Sequence, residues 1–372
     1  MLETLIGARN YIIAKKYQWI LKPIFFKFDP EDTHNFATLV GRLWGKYALT
    51  RKVVNLLFGY KNQALEQTIT GINFKNPIGL SAGFDKDIQL TDVIGSVGFG
   101  FTEVGSITAM AYDGNPKPRL WRLPKTKSLG VWYGLKNKGV EFLSRELAQK
   151  THYLPIGASI AFTNCRENLN IDSAIRDYKT SAEIMEKYAD YITINLSCPS
   201  TSGGMPFILK DNYDKLMTEI DKIPTLKPIW VKISPDMTHL EIDEFLNTSS
   251  KHRVHGIICS NLSKKYHLKE IKDPQPPHGG LSGKVVFPKA LDLLSYMYRK
   301  VGNKYIFVFC GGVFSAHDAY KAIKQGASLV QLITGMIFEG PQLISDINLG
   351  LVKMLKADGY KNISEAVGVA NR

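Results

Sequence analysis

The feature that most constrains the fold is an alternation of strand-like and helix-like segments that begins near residue 70. Eight short runs rich in Ile, Val, Leu and Phe predict strands, at 78–81, 101–104, 156–160, 191–196, 229–233, 256–260, 306–310 and 329–332. Helical patterns lie between and after them, at 88–97, 138–150, 172–187, 212–222, 240–250, 287–300, 315–325 and 342–357. Eight such units predict an α/β fold, a parallel (β/α)8 TIM barrel, and the alternative is an open doubly wound sheet. The insert at 262–283 is too long for a simple loop, and we expect it to form part of the active-site wall.

The first 60 residues follow another pattern, in which apolar and basic residues alternate at helical spacing. Aromatic side chains such as Trp19 are frequent, and Asp29-Pro30-Glu31-Asp32 has the proline and acidic residues of a helix start. We therefore expect an N-terminal helical extension at 1–60 and the barrel at 61–372. Basic amphipathic helices rich in Trp and Phe are typical of an interfacial membrane anchor. The alternative is a helical cap packed on the barrel, and both can hold.

The charge and the cysteines limit the kinds of partner. The formal net charge of +13 favours a phosphate-bearing cofactor, an acidic substrate or a membrane surface. Nucleic acid is not expected, because neither a binding motif nor a dense Lys/Arg run is present. Four widely spaced cysteines without a CxxC or a His/Cys pattern predict reduced thiols and no metal site. No secretory leader is predicted, and no apolar run approaches the roughly 20 residues of a membrane span.

Residues that follow the strands of a parallel barrel all face the same mouth. Here these positions are mostly small or polar residues, with one lysine: Ser81, Ala82, Gly83, Lys86, Ser106, Asn195, Cys198, Ser260, Asn261, Gly311, Gly312, Thr334 and Gly335. Lys232 lies inside the fifth predicted strand, where it is a charged residue in an otherwise buried run. Gly and Thr amides after the last two strands are typical of a phosphate site. The set predicts a planar cofactor that bears a phosphate. FMN fits this description, because Lys232 would stabilise negative charge on the reduced ring.

The fourth predicted strand delivers an amide, a hydroxyl and a thiol within four residues, Asn195-Leu196-Ser197-Cys198, before Pro199 ends it. The thiol is a candidate catalytic base, because chemistry in such folds is placed at the carboxyl ends of the strands. The alternative is that Cys198 is a small buried residue beside a turn, which is the commoner role of a lone cysteine.

Several motifs resemble the dihydroorotate dehydrogenase family. They lie at 74–87, 98–108, 114–123, 195–199, 231–236, 279–283 and 326–331, and the resemblance covers about 22–347. The amino-terminal helices and the Phe28-Asp29-Pro30-Glu31 segment resemble the membrane-associated class 2 branch, whose members reduce a quinone.

The resemblance implies a role for each matching position. The positions that contact FMN would be Ala82, Gly83, Lys86, Ser106, Ser159, Asn195, Lys232, Ser260, Gly283, Gly311, Gly312, Thr334 and Gly335. Those that contact the substrate would be Lys86, Asn195, Ser200 and Asn261. Residue 198 corresponds to the general base, and His34 and Arg122 correspond to polar residues of a quinone tunnel.

The sequence also departs from the family pattern around the substrate. Class 2 enzymes usually have Ser as the base, whereas Cys198 is similar to the soluble class 1 branch. Two substrate-binding Asn residues of the family are replaced, one by Val131 and the other by Ser200, and its lid Phe is replaced by Leu135. Among the FMN-contacting positions, an expected Asn is Ser159 and an expected Tyr is Ile333. Each lost amide contact would weaken substrate binding by about 1–3 kcal/mol if a polar group stayed unpaired.

The leading hypothesis is FMN-dependent oxidation of (S)-dihydroorotate to orotate in de novo pyrimidine synthesis, with electrons passed to a quinone. The protein would bind peripherally to the cytoplasmic side of a membrane. One alternative is an FMN oxidoreductase that acts on another dihydropyrimidine or a related heterocycle, with tRNA uridine reduction as a weaker variant. An alternative of another class is a non-catalytic, membrane-associated flavin-binding protein, against which Lys86 and Cys198 argue.

Overall fold

A computed structural model describes residues 2–201, 203–264 and 268–371. The strands are β1 (Gln67–Ile69), β2 (Ile72–Phe74), β3 (Ile78–Leu80), β4 (Phe101–Ile107), β5 (Leu120–Leu123), β6 (Ser128–Val131), β7 (Ile156–Ile160), β8 (Tyr191–Asn195), β9 (Ile229–Ile233), β10 (Gly256–Cys259), β11 (Gly280–Gly283), β12 (Ile306–Cys310) and β13 (Leu329–Leu332). The α-helices are α1 (Leu2–Lys16), α2 (Lys22–Phe25), α3 (Pro30–Lys46), α4 (Ala48–Phe58), α5 (Val140–Ala148), α6 (Ile171–Met185), α7 (Lys210–Asp221), α8 (His239–Ser249), α9 (Phe287–Val301), α10 (Ala316–Lys324), α11 (Thr334–Glu339) and α12 (Leu343–Asp358).

Eight of these strands close into a parallel barrel in the order β3, β4, β7, β8, β9, β10, β12, β13 and back to β3. All eight predicted strands are present, so the TIM-barrel prediction is confirmed and the open sheet is excluded. Seven predicted barrel helices are also present, as α5 to α10 and α12.

The predicted helix at 88–97 is wrong. Only a short 3-10 turn, Ile94–Val97, forms there. Ile88 has a positive φ of 58°, which a continuing α-helix does not allow. The Asp85 carboxylate accepts the N–H groups of Gln89 and Leu90 at 2.7 and 2.9 Å and so holds the segment as a loop. Helix α4 of the extension packs beside this segment, with Val54 against Leu90 and Val93.

The amino-terminal end of the barrel is closed by apolar side chains. The antiparallel hairpin β1–β2 lies there and contributes Ile69 and Phe74. The strands contribute a layer that we call the apolar floor: Phe101, Tyr191, Trp230, Ile258, Val308 and Leu329. The rings of Tyr191 and Trp230 stack at 3.9 Å. Among the described residues, this apolar layer closes the amino-terminal end of the barrel and leaves the carboxyl ends of its strands open to a ligand.

A small sheet stands at the mouth of the barrel. Strand β6 pairs antiparallel with β5 on one side and with β11 on the other. Strand β11 is the end of the insert at 262–283, so the described part of this insert forms a wall of the mouth, as predicted.

The extension is helical, and α1 continues through a π-helical turn, Tyr17–Leu21, into α2. The predicted helix start is present, because Asp29 caps α3 by accepting the N–H groups of Glu31 and Asp32 at 2.8 and 3.1 Å. The side chains of Tyr17 and Gln18 donate to carbonyl groups of α11 at 2.6 and 2.8 Å. The extension is thus a cap packed on the barrel. None of the helices among the described residues is both long and apolar enough to cross a bilayer.

Candidate active site

The mouth of the barrel opens into a cavity of about 1260 Å³, a volume that includes its opening to solvent. The cavity is bounded by the loops after the barrel strands, by β6, β11 and α11, and by α3 of the extension. Most of the residues predicted for a site line this cavity: His34, Ala82, Gly83, Lys86, Ser106, Asn195, Cys198, Ser200, Lys232, Ser260, Asn261, Gly283, Gly311, Gly312, Thr334 and Gly335.

Two predicted residues are placed elsewhere. Ser159 is buried beneath the cavity, where its Oγ lies 2.8 Å from the Ser106 Oγ. Arg122 lies beside the extension, outside the described residues that line the cavity. Its Nη1 donates to the Phe28 carbonyl at 2.7 Å, and its guanidinium stacks on the Phe26 ring at 4.7 Å. Burial lowers the pKa of Arg122 from its ordinary value.

Three loops approach each other at the level of their backbones on one side of the cavity. A Cβ added to Gly312 would lie 2.6 Å from the Gly283 carbonyl, and one added to Gly335 would lie 2.1 Å from the Val313 carbonyl. Gly283 and Gly312 have φ values of 95° and 70°, which glycine adopts without strain. The Ser282 and Thr334 hydroxyls lie 2.8 Å apart in the same place. This cradle of glycines and hydroxyls fits a phosphate.

Another part of the cavity wall carries an amide network, at the ends of β8 and β10. Asn195 Nδ2 donates to the Ser106 Oγ at 2.9 Å, and its Oδ1 accepts from the Ser197 N–H at 3.2 Å. Asn261 Nδ2 donates to the Ser197 Oγ at 3.1 Å. The two amides therefore have fixed orientations before any ligand binds.

Cys198 lies three residues beyond Asn195 and is largely buried in the cavity wall. Burial raises the pKa of its thiol to about 11, although the Ser200 N–H and the charges of Lys264 and Lys232 act in the opposite direction. The other cysteines differ in position, because Cys165 lies outside the cavity lining, Cys259 is buried behind the wall and Cys310 lines the cavity.

Lys86 has an unusual environment for an ammonium group. Its Nζ lies 4.2 Å from the centre of the Tyr133 ring and 3.5 Å from His34 Nε2. It forms no ion pair within the described residues, and the Tyr133 hydroxyl is buried without a hydrogen-bond partner among them. Burial and the charge of Lys136 lower the pKa of Lys86 to about 8. Burial, Lys86 and Lys136 hold the pKa of His34 well below its ordinary value, so this imidazole is neutral.

Sequence reasoning missed the ion pair that joins the extension to this wall. Both oxygens of the buried Glu31 accept from Arg119, at 2.9 and 2.7 Å, and Lys136 lies 3.6 Å away. Burial raises the pKa of the Glu31 carboxyl, but the hydrogen bonds and charge of Arg119 outweigh it, so the pKa lies below its ordinary value. The partners are 88 residues apart, and no local pattern marks such a pair.

The departures from the family pattern make part of the wall apolar. Val131, Leu135 and Ile333 all line the cavity. The Ser200 hydroxyl donates to the Val131 carbonyl at 3.2 Å, so its proton is already used within the protein. Among the described residues, no group of three or more His, Cys, Asp or Glu side chains is placed to hold a metal ion.

The family model for dihydroorotate dehydrogenase matches residues 64–355. A dihydroorotate dehydrogenase (quinone) of Sulfurovum sp. is 36% identical over 354 residues, which cover 94% of this chain and 97% of that protein. The protein of the same name from Nocardia farcinica is 34% identical over 362 residues, with 95% and 97% of the two chains covered.

Solved structures of DHODH are also similar to this chain. The structure of Eimeria tenella DHODH in complex with ferulenol is similar to this chain with a TM-score of 0.83 and 25% identity, and 94% of this chain and 99% of that one are covered. The ligand-free Eimeria tenella DHODH has a TM-score of 0.77 and 27% identity, with 87% of this chain and 99% of that one covered.

Proposed function

The chain belongs to the dihydroorotate dehydrogenase family, and on that premise we propose that it oxidises (S)-dihydroorotate to orotate in de novo pyrimidine synthesis and passes the electrons to a quinone. The observation that carries the proposal is that one cavity at the barrel mouth holds a thiol, a fixed amide pair, a buried lysine and a glycine cradle. A non-catalytic flavin-binding protein would need neither the thiol nor Lys86 in this cavity.

FMN is the cofactor that these residues fit. The glycine cradle at Gly283, Gly312 and Gly335 would hold the phosphate, together with Thr334. Lys232, whose Nζ donates to the Ser81 Oγ at 3.0 Å, would lie at the polar edge of the ring. When bound, the flavin supplies hydride acceptance.

The chain's own groups bind the substrate and move its proton. Asn195 and Asn261, already oriented by Ser106 and Ser197, would hold the ring. Lys86 would bind the substrate carboxylate, because this ammonium forms no ion pair with any carboxylate of the described residues. Cys198 as thiolate would take the proton from the ring carbon beside the carbonyl.

A second candidate substrate is another dihydropyrimidine or a related heterocycle. Val131 and Leu135 present apolar surface to the cavity, and the Ser200 hydroxyl is bonded to the main chain. A ring with fewer hydrogen-bonding groups at one edge would fit this wall better than one that needs amide partners there.

The quinone would enter from the side of the extension. His34 of α3 lines the cavity, and the apolar side chains of Phe26, Leu120 and Ile337 pack in a cluster beside it. Because burial keeps His34 neutral, it can offer a hydrogen bond without placing a charge in an apolar path. Arg122 would act at the outer part of this path, next to Phe26 and Phe28.

We propose that the protein associates peripherally with a membrane on its cytoplasmic side, and the surface of the extension supports the association with lipid. Large apolar side chains of α1, the π turn, α3 and α4 are exposed: Leu5, Tyr11, Ile12, Trp19, Ile20, Phe36, Leu39, Leu43, Leu49 and Leu56. Monomeric proteins rarely expose so many apolar side chains in one region without a partner surface. Lys15 lies over the Tyr11 and Trp19 rings, where it would meet anionic lipid headgroups.

Anaerobic titration of the FMN-loaded protein tests the reaction. We expect dihydroorotate to bleach the flavin absorbance and a short-chain quinone to restore it. Dihydrouracil and dihydrothymine, which lack the carboxylate, serve as the matched comparison. Bleaching by one of these and not by dihydroorotate would favour the second candidate, and no bleaching by any of the three would refute both.

A further inference from the structure

The inward-facing side chains of the barrel change from apolar to polar two residues along each strand from the apolar floor, toward the cavity. The inward positions there are polar on the strands that form the cavity base, and they include Ser81, Glu103, Thr193, Lys232, Cys310 and Gln331. Barrel interiors are ordinarily filled by bulky branched apolar residues. We call these six residues the polar layer; four of them, Ser81, Lys232, Cys310 and Gln331, line the cavity directly.

One acid and one base belong to the polar layer. Lys232 of β9 is 3% exposed and donates to the Ser81 Oγ at 3.0 Å, and it forms no ion pair with a carboxylate of the described residues. Glu103 of β4 is fully buried, and its Oε2 accepts a hydrogen bond from Gln331 Nε2 of β13. The two charged residue types therefore share a buried layer without forming a direct pair.

The hydrogen bond between Glu103 and Gln331 uses only one oxygen of the carboxyl group and only the nitrogen of the amide. Glu103 Oε1 and Gln331 Oε1 are both buried and have no hydrogen-bond partner among the described residues. An ionised carboxylate accepts hydrogen bonds only, and so does an amide oxygen, so these two atoms cannot satisfy each other. A carboxylic acid differs, because its O–H can donate to the amide oxygen while its other oxygen accepts from the amide nitrogen.

We propose that Glu103 is kept as a neutral carboxylic acid paired with Gln331, so that the charge of Lys232 stays uncompensated beneath the cavity and raises the electron affinity of the bound flavin. Glu103 acts through Lys232 and is a positioning residue. The proposal rests on the proposed function, in which FMN binds in this cavity. It goes beyond that function because Glu103 has no proposed contact with the substrate or with the base, Cys198.

The surroundings of Glu103 favour the neutral form. Burial raises the pKa of its carboxyl, against the charge of Lys232 and the hydrogen bonds of Gln331 and Thr193. Among the described residues, the Tyr191 hydroxyl of the apolar floor also faces it, and burial and the charge of Glu103 both hold the pKa of that phenol well above its ordinary value. A buried carboxylate held only by the Gln331 amide and the Thr193 hydroxyl would be costly, whereas a neutral acid in an acid–amide pair is satisfied.

The variant E103Q separates the neutral acid from the carboxylate. An amide at 103 has the same shape and can also donate to Gln331 Oε1, so the variant is expected to fold. If Glu103 is neutral, sulfite affinity and midpoint potential of the bound flavin will match the wild type at neutral pH. At alkaline pH the wild type alone gains a negative charge, and its sulfite affinity should fall about tenfold below that of E103Q. A tenfold gain by E103Q already at neutral pH would overturn the proposal.

Infrared spectroscopy gives a second test that needs no variant. The wild-type holoprotein at neutral pH should show the carbonyl band of a protonated carboxyl, shifted in D2O and by labelling with 13C-Glu. Absence of such a band at neutral pH would refute the neutral acid. Neither test uses dihydroorotate, so both results can be interpreted even if dihydroorotate proves not to be the substrate.

Discussion

The barrel mouth and the amino-terminal extension use their polar and apolar side chains in opposite ways. At the mouth, the side chains of Asn195, Asn261 and Lys232 donate to the hydroxyls of neighbouring serines, and the apolar side chains beneath them are buried. In the extension, polar side chains such as Gln18 fix the helices to the barrel, while apolar side chains such as Trp19 face outward. The mouth is thus preorganised for a small ligand, whereas the extension presents a surface that suits a second, apolar phase.

The two regions meet at Glu31 and His34 of α3. Glu31 binds Arg119 on the segment before β5, and His34 reaches the cavity beside Lys86. If the mouth serves the reaction and the extension serves lipid binding, substitutions at the mouth should change the rate of flavin reduction and leave lipid binding intact. Substitutions on the outer face of the extension should weaken lipid binding and leave that rate intact. The predictions below test this separation, in decreasing order of effect.

The largest effect is expected at Cys198. The variant Cys198→Ala should slow flavin reduction by dihydroorotate by about 10²–10⁴-fold, the usual contribution of a positioned general base, while FMN stays bound. Stopped-flow absorbance under anaerobic conditions measures the rate. Reduction at the native rate would show that the thiol only packs, and that another group takes the proton.

Cys165→Ala is the matched control, since Cys165 lies outside the described cavity lining. We expect the native rate from this variant. Cys310 would be a poor control, because its Sγ lies 3.3 Å from the Ser81 Oγ in the polar layer.

The second effect tests the joint between the regions. Glu31→Gln removes the charge that compensates Arg119, both side chains being at most 6% exposed, and breaking a buried pair costs about 3–5 kcal/mol. Because the pKa of Glu31 is lowered in the folded protein, its stabilisation is present above the unfolded pKa and is lost as pH falls through the folded one. Urea unfolding at neutral pH measures the loss, with the exposed Asp32→Asn in the same helical turn as control. An equal free energy of unfolding for the two variants would mean that the ion pair between Glu31 and Arg119 does not stabilise the packing of the extension on the barrel.

The sequence alone was sufficient to predict the repeated strand–helix units of the barrel. Each barrel strand is a short apolar run, and the polar residue after it marks the mouth, so Asn195, Cys198 and Gly312 could be placed in one cavity from their positions alone. The helix at 88–97 could not be rejected in this way, because the φ of Ile88 and the packing of α4 depend on tertiary structure.

Contacts between distant segments lay beyond the sequence for the same reason. The Glu31–Arg119 pair, the use of the Ser200 hydroxyl by Val131 and the position of Arg122 outside the cavity follow from how loops fold over the mouth. The pairing of Glu103 of β4 with Gln331 of β13, across the width of β3, is a contact of the same kind.

The third prediction concerns pH and the mouth alone. The folded-state pKa of Cys198 is raised to about 11, so the thiolate fraction increases with pH up to that value. The rate of flavin reduction at saturating substrate should therefore rise about tenfold per pH unit from neutral to alkaline pH. Ionisation of Glu103 would act in the opposite direction, and E103Q separates the two effects. A rate independent of pH in the wild type would exclude Cys198 thiolate as the base.

The smallest effect is expected on the outer face of the extension. Trp19 and Leu56 are 73% and 74% exposed, so Trp19→Ser with Leu56→Ser should leave the fold and the flavin reduction rate unchanged. Partial burial of such side chains in a lipid interface contributes about 1 kcal/mol each, so the double variant should bind vesicles of anionic phospholipid about thirtyfold more weakly. Vesicle co-sedimentation measures the partition. Leu226→Ser is the matched control, because Leu226 is fully exposed but lies on the loop that leads into β9, at the end of the barrel opposite the mouth. If the control weakens lipid binding as much as the double variant, the apolar face of the extension is not the membrane surface, and the division of labour between the two regions fails.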